Sequence, residues 1–207
     1  LNTYLPNLNE LISFENHTIA IDYDNDKLNI KGNGEILIKD KLDSINYQII
    51  RSNGEFIFDI KTNLKNNKLL IDFLDYEKKE NLDASILIKG KLKKNNTIIF
   101  DLISLIEKNN KILFKKLILS KNFKIINMDS FIFNYLNKMK IKNQLFLKRN
   151  NSNYNIEGES FDAMKLINGI MDSEDDNFSL FNNFNSKINL KINKTYIDEV
   201  NFIKNLS

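Results

Sequence analysis

The chain has 207 residues, of which 42% are apolar and 28% charged, a balance that excludes intrinsic disorder and supplies ample material for a core. It contains no cysteine and one histidine, which excludes disulfide frameworks, cysteine zinc sites, thiol nucleophiles and multi-histidine metal centres. The net charge of +3 arises from well-mixed charges with only Arg51 and Arg149 as arginines. This distribution does not indicate a nucleic-acid binder.

Alternation of apolar and polar residues is the dominant pattern along the chain. A period of two places apolar side chains on one face of a β-strand and polar side chains on the other. The alternating runs include residues 19–23, 28–31, 56–61, 84–91, 98–102 and 188–193. The pattern predicts about twelve strands up to Ile156, most of them joined to their sequence neighbours as an antiparallel meander.

Short breaks rich in Asn, Asp and Gly separate these runs. Such residues tolerate the positive φ angles that tight hairpin turns require. We therefore predict turns at breaks that include Asp24-Asn25-Asp26, Gly32-Asn33-Gly34, Asn53-Gly54 and Asn95-Asn96.

One segment near the C-terminus departs from the strand pattern. Met164, Leu166 and Ile167 follow a candidate N-cap at Ser160 or Asp162, which predicts a short helix near residues 162–171. The acidic and Asn-rich residues that follow predict a polar loop, after which the strand pattern resumes.

A sheet of this size must curl, split or close, because its apolar face has to be covered. Three architectures satisfy that requirement: a β-sandwich, a closed barrel, or an open half-pipe whose apolar lining contacts an apolar ligand. Periodicity alone does not choose among them.

No constellation of residues predicts catalysis or metal binding. The chain contains no motif of a serine or cysteine nucleophile that His17 could activate as a general base. Asp22, Asp24 and Asp26 have the spacing of a calcium loop, but Lys27 and Asn33 stand where such a loop needs Gly and Glu. We therefore predict a non-enzymatic protein without cofactor, metal or catalytic residues.

Residues 158–167, with the sequence GESFDAMKLI, resemble a segment of the AsmA-like superfamily, in which a strand ends in Gly and an apolar-Asp-Ala pair begins a short helix. Met164-Lys165 replaces the Arg-Pro that is usual there. The strand-Gly-strand units LNIKGNGEI at 28–36 and ILIKGKL at 86–92, and the strand pair at 187–203, are also similar to that family. The resemblance covers most of the chain and is nearest to the YhdP-like branch.

The resemblance implies a long antiparallel meander curled into an open half-pipe, the β-groove. Residues 1–172 would form a groove segment ending in the short helix, residues 173–186 a polar loop, and residues 187–207 the next strand pair of the same groove. It implies a non-catalytic lipid conduit in the periplasm that shields phospholipid acyl chains between inner and outer membrane. Because the first residue is Leu1, we expect a segment of a longer protein whose missing part supplies the inner-membrane anchor; outer-membrane components are further expected partners.

The residues expected to line the groove are the apolar members of the alternating runs. They are Ile19, Ile21, Phe56, Phe58, Ile60, Ile86, Ile88, Ile98, Phe100 and Phe114. The alternative, if the sheet folds over as a β-sandwich, is a structural or adhesive module of a cell-envelope protein.

Overall fold

The computed structural model describes residues 12–38, 40–151, 153–171 and 186–207. These residues form an all-β fold with one large sheet, one two-stranded sheet and one short helix, which confirms the predicted fold class. The loop predicted at residues 173–186 lies outside the described residues except for Ser186.

The elements follow one another along the chain with short connections. The strands are β1 (Ile12–Asp24), β2 (Lys27–Ile38), β3 (Lys41–Ser52), β4 (Glu55–Leu64), β5 (Leu69–Ile71), β6 (Tyr76–Lys78), β7 (Ala84–Leu92), β8 (Ile98–Glu107), β9 (Asn110–Leu119), β10 (Ile125–Asn127), β11 (Ser130–Leu136), β12 (Lys142–Asn150), β13 (Asn153–Asp162), β14 (Ile188–Tyr196) and β15 (Phe202–Leu206). The helix α1 spans Met164–Met171, and a 3₁₀ turn spans Asp72–Leu74.

The large sheet is a meander, as predicted. Its strand order is β1-β2-β3-β4-β7-β8-β9-β11-β12-β13-β14-β15, with β10 paired to β9. All neighbours are antiparallel except β13 and β14, which are parallel. Among the described residues, β1 pairs only with β2 and β15 only with β14, so the sheet is open along these two edges.

The sheet curls around one continuous core. Buried apolar side chains from β7 to β14 form a single cluster with Leu74 and Tyr76, which come from the segment between β4 and β7. If the sheet were flat, β7 and β14 would lie about 29 Å apart, and the short segment with Leu74 and Tyr76 could not contact the strands at both ends. The apolar face is therefore the inner, concave face of an open half-pipe. The β-sandwich alternative is wrong, because the second sheet has only the strands β5 and β6.

A β-bulge keeps the apolar residues of β8 facing inward where their spacing changes. The pairing of β7 with β8 shifts between Lys89 and Gly90, so that Phe100 and Ile103 lie on the same face although they are three residues apart. A Cβ atom at Gly90 would lie 2.2 Å from the carbonyl oxygen of Ile99. The absence of a side chain permits this close approach, which bends the sheet.

The turn predicted at Gly32-Asn33-Gly34 is wrong. These residues lie in the middle of β2, and the chain reverses at Asp40 instead. The turns predicted at Asp24-Asn25-Asp26, Asn53-Gly54 and Asn95-Asn96 are confirmed.

The predicted short helix is confirmed as α1, and Asp162 rather than Ser160 caps it. The Asp162 carboxylate accepts a hydrogen bond from the Met164 amide at 3.0 Å and another from the Asn137 side chain at 2.6 Å. Burial raises the pKa of Asp162, although these two hydrogen bonds act to lower it. Within the described residues, no helix has the length and apolarity that a bilayer crossing requires.

Candidate functional site

Strand register places every predicted lining residue on the inner face of the sheet. One row across the strands pairs Ile21 with Ile30, Ile49, Phe58, Gly90 and Phe100 in turn. The next row contains Ile19, Ile60, Ile88 and Phe114. Ile86 lies in the row beyond it, and Phe56 and Ile98 in the row toward the β3–β4 turn. The face that they share is called the groove face below.

The groove face remains accessible from β1 to β8. Ile21 is 64% exposed and Phe56 39% exposed, while Phe58, Ile60 and Phe100 are half-buried. Phe58 and Phe100 meet edge to face with ring centroids 5.9 Å apart and cover Gly90. These strands therefore expose a continuous apolar surface that their own sequence does not cover.

The opposite face of the same strands is mainly polar, although Ile50, Ile57, Ile99 and Ile106 also lie on it. The Gln48 side chain donates to Asn29 at 2.8 Å, and Lys89 forms an ion pair with Asp59 at 2.7 Å. These contacts run from strand to strand on the solvent side. The two faces therefore differ in composition: most polar side chains and their hydrogen bonds lie outside, and the inner face is almost entirely apolar.

From β8 to β13 most of the groove face is closed by the chain itself, and on β14 Ile192 is buried while Ile188 and Leu190 are exposed. Residues 65–83, called the plug below, leave the sheet after β4 and return to it at β7. Leu74 and Tyr76 of the plug are buried in the core cluster, and Ile86 and Phe114 pack against that cluster. Of the predicted lining residues, these two lie beside the closed end.

One buried charge anchors the plug to the sheet, and a second holds the plug together internally. The Asp43 carboxylate, on the inner face of β3, accepts hydrogen bonds from the amides of Lys65, Asn66 and Asn67 at 2.8, 2.9 and 3.0 Å. Burial would raise its pKa, but these bonds and one from the Asn67 side chain together hold the pKa below its usual value. Lys78, fully buried, donates from Nζ to the carbonyl oxygens of Lys65 and Asn67 at 2.8 and 2.5 Å.

Two buried tyrosines also fix the plug against the sheet. Tyr76 donates its hydroxyl to Glu107 at 2.6 Å, and Tyr135 donates to the carbonyl oxygen of Leu74 at 2.9 Å. Their rings meet edge to face at 5.6 Å. Burial raises the pKa of both phenols, so both keep their protons and act as donors at neutral pH.

An aromatic cluster lies on the groove face near β1, which the alternation did not predict. Tyr47 and His17 stack with ring centroids 5.6 Å apart, and Phe14 meets the His17 ring edge-on at 5.0 Å. The Tyr47 ring occupies the space beside Gly32, and the His17 ring the space beside Gly34. Both His17 ring nitrogens are buried and have no hydrogen-bond partner among the described residues.

Further groove-face residues were missed by the sequence reasoning, chiefly in β2 and β3. Register adds Ile30, Ile49, Tyr47 and Arg51 to this face. Strand pairing could have identified them. Ile30 belongs to an alternating run, and if β2 and β3 form a hairpin, its partner Ile49 must lie on the same face.

The calcium-like triad forms an ordinary hairpin turn. The Tyr23 hydroxyl donates to Asp26 at 3.1 Å, and the Asn29 side chain donates to Asp22 at 3.5 Å. In the part of the chain that the structure describes, no group of His, Cys, Asp and Glu side chains is arranged to hold a metal ion.

The chain was also compared with known proteins. No family model matches it, and neither do any of the curated proteins or solved structures with which it was compared.

Proposed function

We propose that this chain is a non-catalytic segment of a periplasmic lipid conduit, which shields phospholipid acyl chains on its groove face during transfer between inner and outer membrane. The observation that supports it most strongly is the uncovered apolar surface from β1 to β8, where Ile19, Ile21 and Phe56 are exposed and Phe58 and Phe100 half-buried. Contiguous exposed apolar surface of this kind is typical of a binding surface. An inner-membrane anchor in a part of the protein outside this chain and a partner at the outer membrane belong to the same proposal.

The energetics explain why such a surface suffices. Moving one sixteen-carbon acyl chain into water costs on the order of 12 kcal/mol at about 0.8 kcal/mol per methylene. A two-chain lipid therefore does not cross an aqueous gap unaided at a useful rate. A continuous apolar floor removes that cost without any chemical step.

The layout of the floor suits movement rather than tight fixation. Its rows run across the strands from β1 to β8 and consist mainly of Ile, Phe and Leu side chains, with Gly32, Tyr47 and Gly90 among them. Because most positions along the rows are apolar, neighbouring positions offer a chain similar binding energy. A lipid could then slide along the half-pipe with its headgroup in water.

Native mass spectrometry of the purified protein tests the proposal. We expect co-purified phospholipid with the wild type and its loss in the double variant Phe58→Asp, Phe100→Asp. The matched control is Ile57→Asp, Ile106→Asp, because both residues are exposed on the polar face of β4 and β8. Lipid retained equally by the folded groove variant, or no lipid in any sample, would overturn the proposal.

A further inference from the structure

One edge of the half-pipe carries exposed basic side chains beside the uncovered part of the groove face. The turns β1–β2, β3–β4, β7–β8, β9–β10 and β12–β13 all lie at this edge, because successive strands of a meander reverse alternately. The basic rim is defined here by one arginine and four lysines at three of these turns. They are Arg51, Lys93, Lys94, Lys121 and Lys124.

Arg51 faces the groove rather than the polar side. It pairs with Leu28 and Phe56 in the register of the inner face, and its guanidinium carbon lies 5.8 Å from the centre of the Phe56 ring. The side chain is exposed, and no carboxylate among the described residues lies within ion-pair distance of it. A cation therefore sits where the apolar floor meets water.

Lys94 lies next to this position although it belongs to a different hairpin. A Cβ atom at Gly54 would lie 2.7 Å from the Lys94 Cε, so the lysine chain crosses directly over the β3–β4 turn. The positive charges of the β3–β4 and β7–β8 turns are thus adjacent along the rim. Below them, Leu92 and Ile98 continue the apolar floor inward.

The opposite edge also carries exposed lysines, among them Lys108, Lys140 and Lys142, but they do not border an open part of the groove face. There the plug covers the inner face, and Asp43, Glu107 and Lys78 are already satisfied by its backbone and by Tyr76. From the row of Phe56 to the row of Thr62, six residues along β4, the free floor measures about 20 Å at 3.4 Å per residue. An extended acyl chain of common length fits that span with its polar end at the basic rim.

We propose that the basic rim binds the phosphate of an anionic phospholipid whose acyl chains lie on the groove face, which gives this segment a preference for anionic over zwitterionic lipids. The assignment rests on the proposed function and names its substrate class. Basic side chains near an anionic lipid surface contribute roughly 1 kcal/mol each, or about fivefold in affinity. Such contributions weaken with salt, because the Debye length falls from about 10 Å at 0.1 M to about 3 Å at 1 M.

Carboxylates at the same edge do not cancel this charge. Asp24 and Asp26 lie at the β1–β2 turn, at the end of the sheet, and Glu55 lies on the polar face of β4. Asp129 forms an ion pair with Lys116 at 3.2 Å, which is not a rim residue.

The test measures capture of two lipids by delipidated protein: phosphatidylglycerol and phosphatidylcholine with identical chains and a fluorophore on one chain. The rim variant is Arg51→Gln, Lys94→Gln, Lys121→Gln, and its matched control is Lys31→Gln, Lys61→Gln, Lys115→Gln. Both remove three charges from exposed side chains, but the control lysines lie on the polar face. Circular dichroism and thermal melting verify that each variant is folded.

We expect the wild type to bind phosphatidylglycerol at least tenfold more tightly than phosphatidylcholine, and this preference to shrink at 1 M salt. The rim variant should lose most of the preference while its affinity for phosphatidylcholine stays within twofold, and the control variant should behave as the wild type. Equal affinity for both lipids in the wild type, or an unchanged preference in the rim variant, would overturn the assignment and leave the proposed function standing.

Two further outcomes would overturn the assignment and the proposed function together. If the wild type captures neither lipid, the proposed function itself fails, and the rim assignment fails with it. If Phe58→Asp, Phe100→Asp still binds phosphatidylglycerol with wild-type affinity, the basic rim binds the lipid headgroup while the acyl chains do not contact the groove face. That result would overturn the assignment and the proposed function alike.

Discussion

Phe58 and Phe100 meet edge to face across Gly90, with ring centroids 5.9 Å apart, although they belong to strands that are separated by β7. The contact is possible because Gly90 has no side chain, so that two large rings from either side can close over it. The same glycine allows the bulge in β8, and it therefore links the curvature of the sheet to the continuity of its apolar floor.

Gly90→Ala should destabilise the protein. The new methyl group would meet the Ile99 carbonyl oxygen, which is backbone and cannot move aside without disturbing the bulge. We expect the free energy of unfolding to fall by about 2 kcal/mol in urea denaturation. Ser85→Ala, on the polar face of the same strand, should stay within about 0.5 kcal/mol of the wild type. Equal stability of the two variants would contradict the role given to Gly90.

Lys78→Met should loosen the plug. The substitution keeps an unbranched side chain of similar length but removes the donor for the carbonyl oxygens of Lys65 and Asn67, which are then left unsatisfied. We expect a loss of about 3 kcal/mol in the free energy of unfolding. Hydrogen exchange should rise in residues 65–83, whereas the exposed neighbour Lys79→Met should change neither quantity. Unchanged exchange in the plug would show that Lys78 does not hold its two ends together.

Acid should weaken the protein through Asp43. Because the pKa of this carboxyl is lower in the folded than in the unfolded state, its contribution is fully present above the unfolded value and is lost as the pH falls through the folded value. Asp43→Asn should cost about 2 kcal/mol at neutral pH. It should also show a smaller further loss between about pH 5 and pH 2 than the wild type does. Urea midpoints across this range provide the check, and parallel pH profiles would contradict the prediction.

His17→Phe should be neutral or stabilising. The phenyl ring keeps the stacking with Tyr47 and fills the space beside Gly34, but it removes two buried ring nitrogens that have no partner among the described residues. An unsatisfied buried polar group costs about 1–3 kcal/mol. His17→Ala, which leaves the glycine uncovered, should instead lose about 2 kcal/mol. Thermal melting distinguishes the two, and a destabilised His17→Phe would indicate that the imidazole nitrogens are used.

The sequence predicted the faces of the strands well because alternation is a local property. Phe56, Phe58 and Ile60 share a face by spacing alone. Phe100 and Phe114 reach the same face through the register of neighbouring strands and the bulge in β8, which alternation within one strand does not reveal. The shape of the sheet as a half-pipe came from resemblance, since periodicity also allowed a sandwich.

Other features depend on contacts between distant residues and so escaped prediction. The composition around Gly32 and Gly34 predicts a turn, but both glycines lie within the extended strand β2. The ring of Tyr47 from β3 packs on Gly32, and the ring of His17 from β1 packs on Gly34. The plug is held by the buried Asp43, whose hydrogen-bond partners lie more than twenty residues further along the chain. No window of local sequence contains both halves of such an interaction.

Site-specific photo-crosslinking tests the central claim most directly, with p-benzoylphenylalanine placed at either Phe58 or Ile57. These adjacent residues lie on opposite faces of β4, and Ile57, at 49% exposed, is the more accessible of the two. Irradiation with phosphatidylglycerol vesicles should attach phospholipid at position 58 and not at position 57, because only the groove face contacts acyl chains. Equal attachment at both positions, or attachment at 57 alone, would contradict a lipid-binding groove.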